Sequence, residues 1–262
     1  MIIDCHVHLP LSKTKGKFKD KKAKLLRDME RNGVDCAILI PDNLAGSNIG
    51  DLDTCLKLVE NEKKLFLLGT IDVRKEGMRS ISKIDFLFKK GKIKGIKIYP
   101  GHDPIYPTDK RLIPLYKLCI KYNLPIMIHT GRGEIKNARE YNDPKYLVKI
   151  TKKFPKLKIV ISHYFEPNLE YCYNLTKNFI SIYYDTSGLA DKDVVKERGL
   201  KTIKDILTRT LKEKPNNVLF GTDYACCSIK KHIELINSLN ISDEIKDKIF
   251  YKNSNRIFRL NL

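Results

Sequence analysis

Two histidines two residues apart, His6 and His8, close the apolar run that opens this 262-residue chain, Met1-Ile2-Ile3-Asp4-Cys5-His6-Val7-His8. On a strand, residues two apart share a face and lie about 7 Å apart along the backbone. Each imidazole has a ring nitrogen to offer, so the pair presents two ligands to one metal, and Zn²⁺ takes imidazole readily. A solvated strand end is the bland alternative, and one His-x-His does not separate the two. The other histidines do. There are six in all. His129 ends the run Leu124-Pro125-Ile126-Met127-Ile128, and His163 ends Leu157-Lys158-Ile159-Val160-Ile161-Ser162. A further run, Val218-Leu219-Phe220-Gly221-Thr222, ends in Asp223. Four histidines and one aspartate therefore stand at the C-terminal ends of short apolar runs. In a parallel β/α barrel those ends converge on one face, where active sites sit.

The elements that must position them follow from the rhythm of the chain. Eight short apolar strands are expected at 1–7, 34–40, 65–71, 95–99, 125–129, 158–162, 180–185 and 218–221. Between them lie helical patterns, such as Leu25, Leu26 and Met29 ahead of Gly33, and one long helix within 191–213. Strands alternating with helices argue for α/β with a parallel sheet. Ligands spread over strands 1, 5, 6 and 8 favour a closed ring, because the first and last strands of an open sheet lie too far apart to share an ion. The length is close to the roughly 250 residues of one (β/α)₈ barrel. The expected architecture is a single TIM barrel spanning 1–262, with some distortion allowed and extra C-terminal helices near 230–238, 243–251 and 253–260.

Composition bounds the setting. No window approaches the ~20 apolar residues of a membrane span, and no signal-peptide pattern opens the chain. Seven scattered cysteines, an odd number, argue against a disulfide framework and for a reducing cytoplasm. Cys5 alternates with the histidines and is expected to face the outer helices. Cys226 and Cys227, just after Asp223, are expected in packing or loop roles. The net charge of +19 raises the question of nucleic acid. The lysines are interleaved with Asp and Glu over nearly every expected helix, which describes a solvated surface better than a binding stripe.

The ordered set of motifs resembles the amidohydrolase superfamily, and within it the amidohydrolase-related (amidohydrolase 2) family of metal-dependent hydrolases and decarboxylases. The matching stretches are Asp4-Cys5-His6-Val7-His8, Gly95-Ile96-Lys97-Ile98-Tyr99-Pro100, Ile128-His129-Thr130-Gly131, the run from Phe154 to His163, Asp185-Thr186-Ser187-Gly188, Leu219-Phe220-Gly221-Thr222-Asp223, and the tail Tyr251 to Phe258. The resemblance implies that His6, His8, His129 and Asp223 bind one divalent metal, most often Zn²⁺ with Mn²⁺ as the other candidate. Asp223 would also take a proton from the attacking water, and His163 would polarise the substrate or orient the hydroxide. A carboxylate that touches both metal and water suits that proton transfer independently.

Lys97 alternates with Ile96 and Ile98 and so shares an inward face with Tyr99. In binuclear members of the superfamily a carboxylated lysine on strand 4 bridges a second metal, held there by the counterparts of His129 and His163. The resemblance favours instead a lysine that balances carboxylates inside the barrel. Lys97, Tyr99 and Arg132 are the candidate substrate-binding residues. Arg132 and the first-loop lysines Lys13, Lys15, Lys17 and Lys19 suit an anionic substrate. His102, in the loop after strand 4, is within reach of the site, while His232 is expected on a helix surface.

The leading reading is a metal-dependent hydrolase acting on a small, anionic amide- or lactone-type molecule. A non-hydrolytic decarboxylase of the same family shares every motif. A TatD-like nuclease would use the positive charge directly, but it calls for a metal-bridging glutamate near strands 3 and 4, where Glu76 is poorly placed. A relic site is disfavoured by an intact ligand set. The sequence is silent on oligomeric state, and a homo-oligomer is compatible with it.

Overall fold

A computed structural model describes residues 1–11 and 17–262; the expected basic-loop residues Lys13 and Lys15 lie outside the described residues. Eight parallel strands follow in order: β1 (Ile3–Val7), β2 (Cys36–Leu39), β3 (Leu65–Leu67), β4 (Ile96–Ile98), β5 (Ile126–His129), β6 (Ile159–Ser162), β7 (Ile182–Asp185) and β8 (Val218–Leu219). They fall into two ladders, β1-β2-β3 and β4 to β8 in sequence order. Backbone hydrogen bonds cross both gaps. Lys97 N–H donates to Gly69 O at 2.8 Å between β3 and β4, and Cys5 N–H donates to Phe220 O at 2.9 Å between β8 and β1. The strands thus run around a ring, as in a distorted (β/α)₈ barrel.

Two apolar regions hold it together. Strand residues such as Ile98, Ile128, Ile161 and Phe220 pack outward against the helices. Ile3, Ile38, Met127, Val160 and Leu219 pack inward on each other, and Ile257 and Phe258 of the C-terminal helix, with Leu260 just beyond it, close that inner cluster. Every one of these side chains is almost fully buried, the inner set as dry as the outer. Alternate residues of each strand thus serve two separate cores, as the period of two requires.

Three local departures from the sequence expectation have physical causes. Cys5 does not face the helices. It belongs to the inner cluster, with Sγ 3.8 Å from Asp185 Oδ1. The pairing of β1 with β2 shifts register between Asp4 and Val7, and such an irregularity breaks simple alternation. The long helix within 191–213 is two helices, Lys192–Arg198 and Leu200–Glu213, divided at Gly199, whose φ of 85° belongs to the left-handed region. His232 is buried rather than exposed, because the helix Ile229–Asn237 turns Ile229, His232, Leu235 and Ile236 to the interior. No helix among the described residues is long and apolar enough to cross a membrane.

Candidate metal centre

The C-terminal ends of the strands surround a cavity of about 860 Å³, lined by His6, His8, His129, His163 and Asp223 among others. His6 and His8 come together as the spacing requires, with ring centroids 5.3 Å apart. Each uses Nδ1 for a fixed acceptor: His6 Nδ1–H donates to Asp185 Oδ2 at 2.6 Å, and His8 Nδ1–H donates to Ile40 O at 2.9 Å. Both Nε2 atoms therefore carry lone pairs. They lie 3.5 and 3.4 Å from the same atom, Asp223 Oδ1. Ligand bonds of ~2.0–2.2 Å meeting at tetrahedral angles put neighbouring ligand atoms ~3.3–3.6 Å apart. The trio has that spacing. His6 Nε2 is fully buried and has no hydrogen-bond partner among the described residues, a costly state for a lone pair unless something occupies the point it faces. The residues present fit a divalent ion.

Asp223 is held for this position. Its φ of 61° is left-handed, a conformation aspartate tolerates better than most residues. Its N–H donates to His6 O at 2.9 Å, which ties the end of β8 to the end of β1. It is half-buried, and against the upward push of that desolvation the surrounding histidines hold its carboxyl far below the usual range. Beneath it, Asp4 accepts from Thr222 N at 3.0 Å and Thr222 Oγ1 at 2.5 Å, a second tie across the same seam. Gly221 is required here, since a Cβ would collide with Asp185 Oδ1 and press on His6 Cβ.

The remaining candidates are placed as follows. His163 Nδ1 is hydrogen-bonded to Ser187 Oγ at 2.7 Å, its ring lies 4.8 Å from that of His6, and burial pushes its pKa down to about 3. His129 lines the cavity, with its ring 5.1 Å from that of His163. Its Nε2 is 2.5 Å from Arg132 O, and it is in neither of the ligand groups that converge among the described residues, His6–His8–Asp223 and His6–His163–Asp185. His102 does reach the wall, stacked edge-on against His129 at 4.3 Å. Cys226 and Cys227 line the mouth; Cys226 is exposed, but the packing around its sulfur and the nearby Asp223 push its thiol up to about 11, so it stays protonated.

The two candidate cations differ. Lys97 points into the barrel, 1 % exposed, and its Nζ has no hydrogen-bond partner among the described residues. The Tyr99 ring lies 5.4 Å from it. Burial lowers its pKa to about 8, against the opposing pull of Asp185 and Asp223. Arg132 sits at the rim with its charge engaged, 2.5 Å from Glu197 and 3.5 Å from Glu166. Tyr99 lines the cavity and donates to Pro41 O at 2.6 Å.

Asp185 and Ser187, which the sequence reading left without a role, stand at the centre. Asp185 is fully buried and accepts from His6 Nδ1, Ser187 N and Ser187 Oγ. Those donors hold its carboxyl down at about 2 against the push of burial. The signal that finds His129 and Asp223 also finds Asp185, which ends the apolar run of β7.

Solved structures share the whole architecture. An uncharacterised TIM-barrel protein from Bordetella bronchiseptica superposes with a TM-score of 0.78 at 18 % identity, covering 99 % of this chain and 98 % of that one. A putative 2-pyrone-4,6-dicarboxylic acid hydrolase from Pseudomonas putida gives 0.75 at 14 % identity, covering 100 % and 98 %. A 5-carboxyvanillate decarboxylase from Novosphingobium aromaticivorans, solved with manganese and 4-hydroxy-3-methoxy-5-nitrobenzoic acid, gives 0.69 at 16 % identity, covering 90 % and 79 %. These identities speak for the fold alone. No curated protein matches the chain in sequence. The family model described as amidohydrolase matches residues 3–260, nearly the full length and every residue of the site, and the chain belongs to that amidohydrolase family.

Proposed function

We propose that this protein is a metal-dependent hydrolase of small, anionic amide- or lactone-type substrates, with one divalent ion held by His6, His8 and Asp223 and His129 as the candidate fourth ligand. The observation that carries the reading is the buried, unpartnered Nε2 of His6, facing the same Asp223 oxygen as His8 Nε2 at tetrahedral-edge spacing. When bound, the ion supplies Lewis acidity and makes a hydroxide nucleophile available near neutral pH. Asp223, ionised and facing the cavity, accepts the proton released and returns it to the leaving group. Lys97 anchors the substrate carboxylate from the cavity floor. Arg132 serves only where a substrate can compete with Glu166 and Glu197. Tyr99 and His102 shape the wall between them.

The charge of the cavity supports a small substrate over a nucleic acid. Among the described lining residues, the carboxylates Asp42, Asp103, Glu134, Glu166, Asp191 and Asp223 face only two cations, Lys97 and Arg132. One substrate carboxylate needs only Lys97, whereas a phosphate backbone needs the opposite balance along its length. Decarboxylation is the second reading, and the manganese-bound decarboxylase among the similar folds favours keeping it. Seven unbridged cysteines suit the cytoplasm.

The test is metal content per chain after reconstitution with Zn²⁺ or Mn²⁺, in the parent and in Asp223→Asn. Stoichiometric metal in the parent and loss in the variant support the centre. A panel of lactones, amides and hydroxybenzoates, read both for acid release and for CO₂, then separates hydrolysis from decarboxylation. A parent that retains no metal under either condition ends this reading.

A further inference from the structure

Ser187 connects the two halves of the centre. Its Oγ lies 2.7 Å from Asp185 Oδ2, 2.7 Å from His163 Nδ1 and 3.1 Å from His6 Nδ1. All of these groups are buried. A hydroxyl has one hydrogen to give and lone pairs with which to accept, so the direction of each bond follows from its neighbours. Every other group within reach of Asp185 is a donor: His6 Nδ1–H, Ser187 N–H and the Cys5 thiol. A carboxylate surrounded by donors accepts from all of them. The Ser187 hydrogen therefore goes to Asp185 Oδ2, because two oxygens 2.7 Å apart cannot both present lone pairs. With its hydrogen committed, Ser187 Oγ can only accept from His163. That places the imidazole proton of His163 on Nδ1 and leaves Nε2, the other ring nitrogen of a residue that lines the cavity, as a bare acceptor.

We infer that Ser187 is a positioning residue that fixes the tautomer of His163, so that His163 meets the cavity as a hydrogen-bond acceptor, not as a donor that polarises the substrate. The inference deepens the proposed function and rests on His163 working at that centre. It also sharpens the earlier alternatives for His163, since only the orienting role is compatible with this bond order. When Nε2 accepts a hydrogen bond from a water in the cavity, the ring is held in place along Nδ1–H to Ser187 and from Ser187 to Asp185. One carboxylate then serves two histidines: it orients His6 directly and His163 through a hydroxyl. The same logic governs a carboxylate that holds a catalytic histidine by its far nitrogen, with a serine inserted as the spacer.

The experiment is a long-range ¹H–¹⁵N correlation spectrum of the full chain, labelled at histidine and loaded with zinc, with His163 assigned by loss of its signals in His163→Gln. The wild type is expected to show His163 with Nδ1 in the protonated range and Nε2 in the unprotonated range. In Ser187→Ala the two nitrogens should move toward each other as the tautomers mix, and Ser187→Thr should restore the wild-type pattern. The wild-type spectrum alone decides the case if the alanine variant does not fold. An Nε2-protonated His163 in the wild type, a zinc-shifted Nε2, or a Ser187→Ala spectrum indistinguishable from wild type each overturns the inference. Zinc stoichiometry measured on the same samples tests the metal centre separately, so a failure of that reading is distinguishable from a failure of this one.

Discussion

The two ends of the barrel interior obey opposite rules. The lower layer is Ile3, Ile38, Met127, Val160 and Leu219, closed by Phe258, with no polar group to satisfy. The upper layer holds an unpartnered imidazole nitrogen, an unpartnered ammonium, an ionised buried carboxylate and a left-handed aspartate. Each of those costs folding free energy. The lower layer and the helix-facing core supply the stability that lets the upper one persist. The lesson is a division of labour along one set of strands: the same residues that alternate between cores at the bottom give way, at the C-terminal tips, to groups that fold poorly and bind well.

That division can be broken from either side. Leu219→Ala removes packing from the lower layer and is expected to cost ~2–5 kcal/mol of stability while leaving metal stoichiometry at its parent value. His8→Ala should do the reverse. It abolishes stoichiometric metal binding, and because the partly buried ring gives only one hydrogen bond, to Ile40 O, the metal-free protein should lose little melting temperature. Denaturant melts paired with elemental analysis read both. If Leu219→Ala also lost metal, or His8→Ala unfolded the chain, the two layers would not be separable.

Lys97, at the base of the upper layer, gives the next largest effect. Its pKa in the folded protein is about 8 against an ordinary 10.5. Below pH 8 both folded and unfolded chains carry the proton, and the full burial penalty is present. Between about 8 and 10.5 the unfolded chain binds the proton and the folded one does not, so stability rises with pH and the penalty is relieved. Lys97→Met should therefore stabilise the metal-free protein by about 3 kcal/mol below pH 8, with the gain fading as pH approaches 10.5. The same substitution should raise KM for an anionic substrate more than it lowers kcat. A gain that does not vary with pH would mean that Lys97 is uncharged or paired in the folded state.

Asp185→Asn comes next. The asparagine keeps the shape but weakens the hold on His6 Nδ1, and zinc affinity should fall ~10–100-fold. Competition against a chromogenic chelator reads this directly. An unchanged affinity would place the orientation of His6 in the backbone, not in Asp185.

How much of this was legible in the sequence differs by residue. The strands were, because each is a short apolar run stopped by Gly, Pro or a polar residue, and the observed β1 to β8 fall within the expected ranges. The meeting of His6, His8 and Asp223 was legible too, since position at a strand tip fixes which side chains converge. What the sequence could not carry was orientation inside that shell. Nothing in the motif at Ile128-His129 says that Nε2 turns to Arg132 O, a carbonyl set by the glycine-rich loop that follows. Cys5 turned inward because the register shift in β1 is a three-dimensional event with no residue signature. Arg132 was read as a cation suited to an anionic substrate, and its neutralisation by Glu166, in the loop after β6, and Glu197, in the helix Lys192–Arg198, depends on segments distant in sequence. His232 was the recoverable miss: its place three residues after Ile229 and four before Ile236 puts it on the apolar face of its helix.

His232 also gives the smallest effect and a control for the centre. It is buried and neutral; Nε2 accepts from Ala190 N at 3.2 Å and Nδ1–H donates to Ser228 O at 2.9 Å, which pins the loop after β7. Burial lowers its pKa, as it does for His6, His129 and His163. The sign is common to all four. Below about 6.5, the ordinary histidine value, the unfolded chain takes up protons that the folded chain refuses, so stability falls on acidification. Zinc distinguishes them. Bound zinc requires neutral ligands, so loading should steepen the acid-side loss through His6 and leave the share of His232 untouched. His232→Leu is then expected to cost on the order of 1 kcal/mol at neutral pH by stranding the Ala190 N–H. It should make the acid-side slope shallower by the same amount with and without zinc. A zinc-dependent change in that slope would mean that the loop after β7, which follows Asp185 and carries Ser187, is coupled to the metal through Ala190.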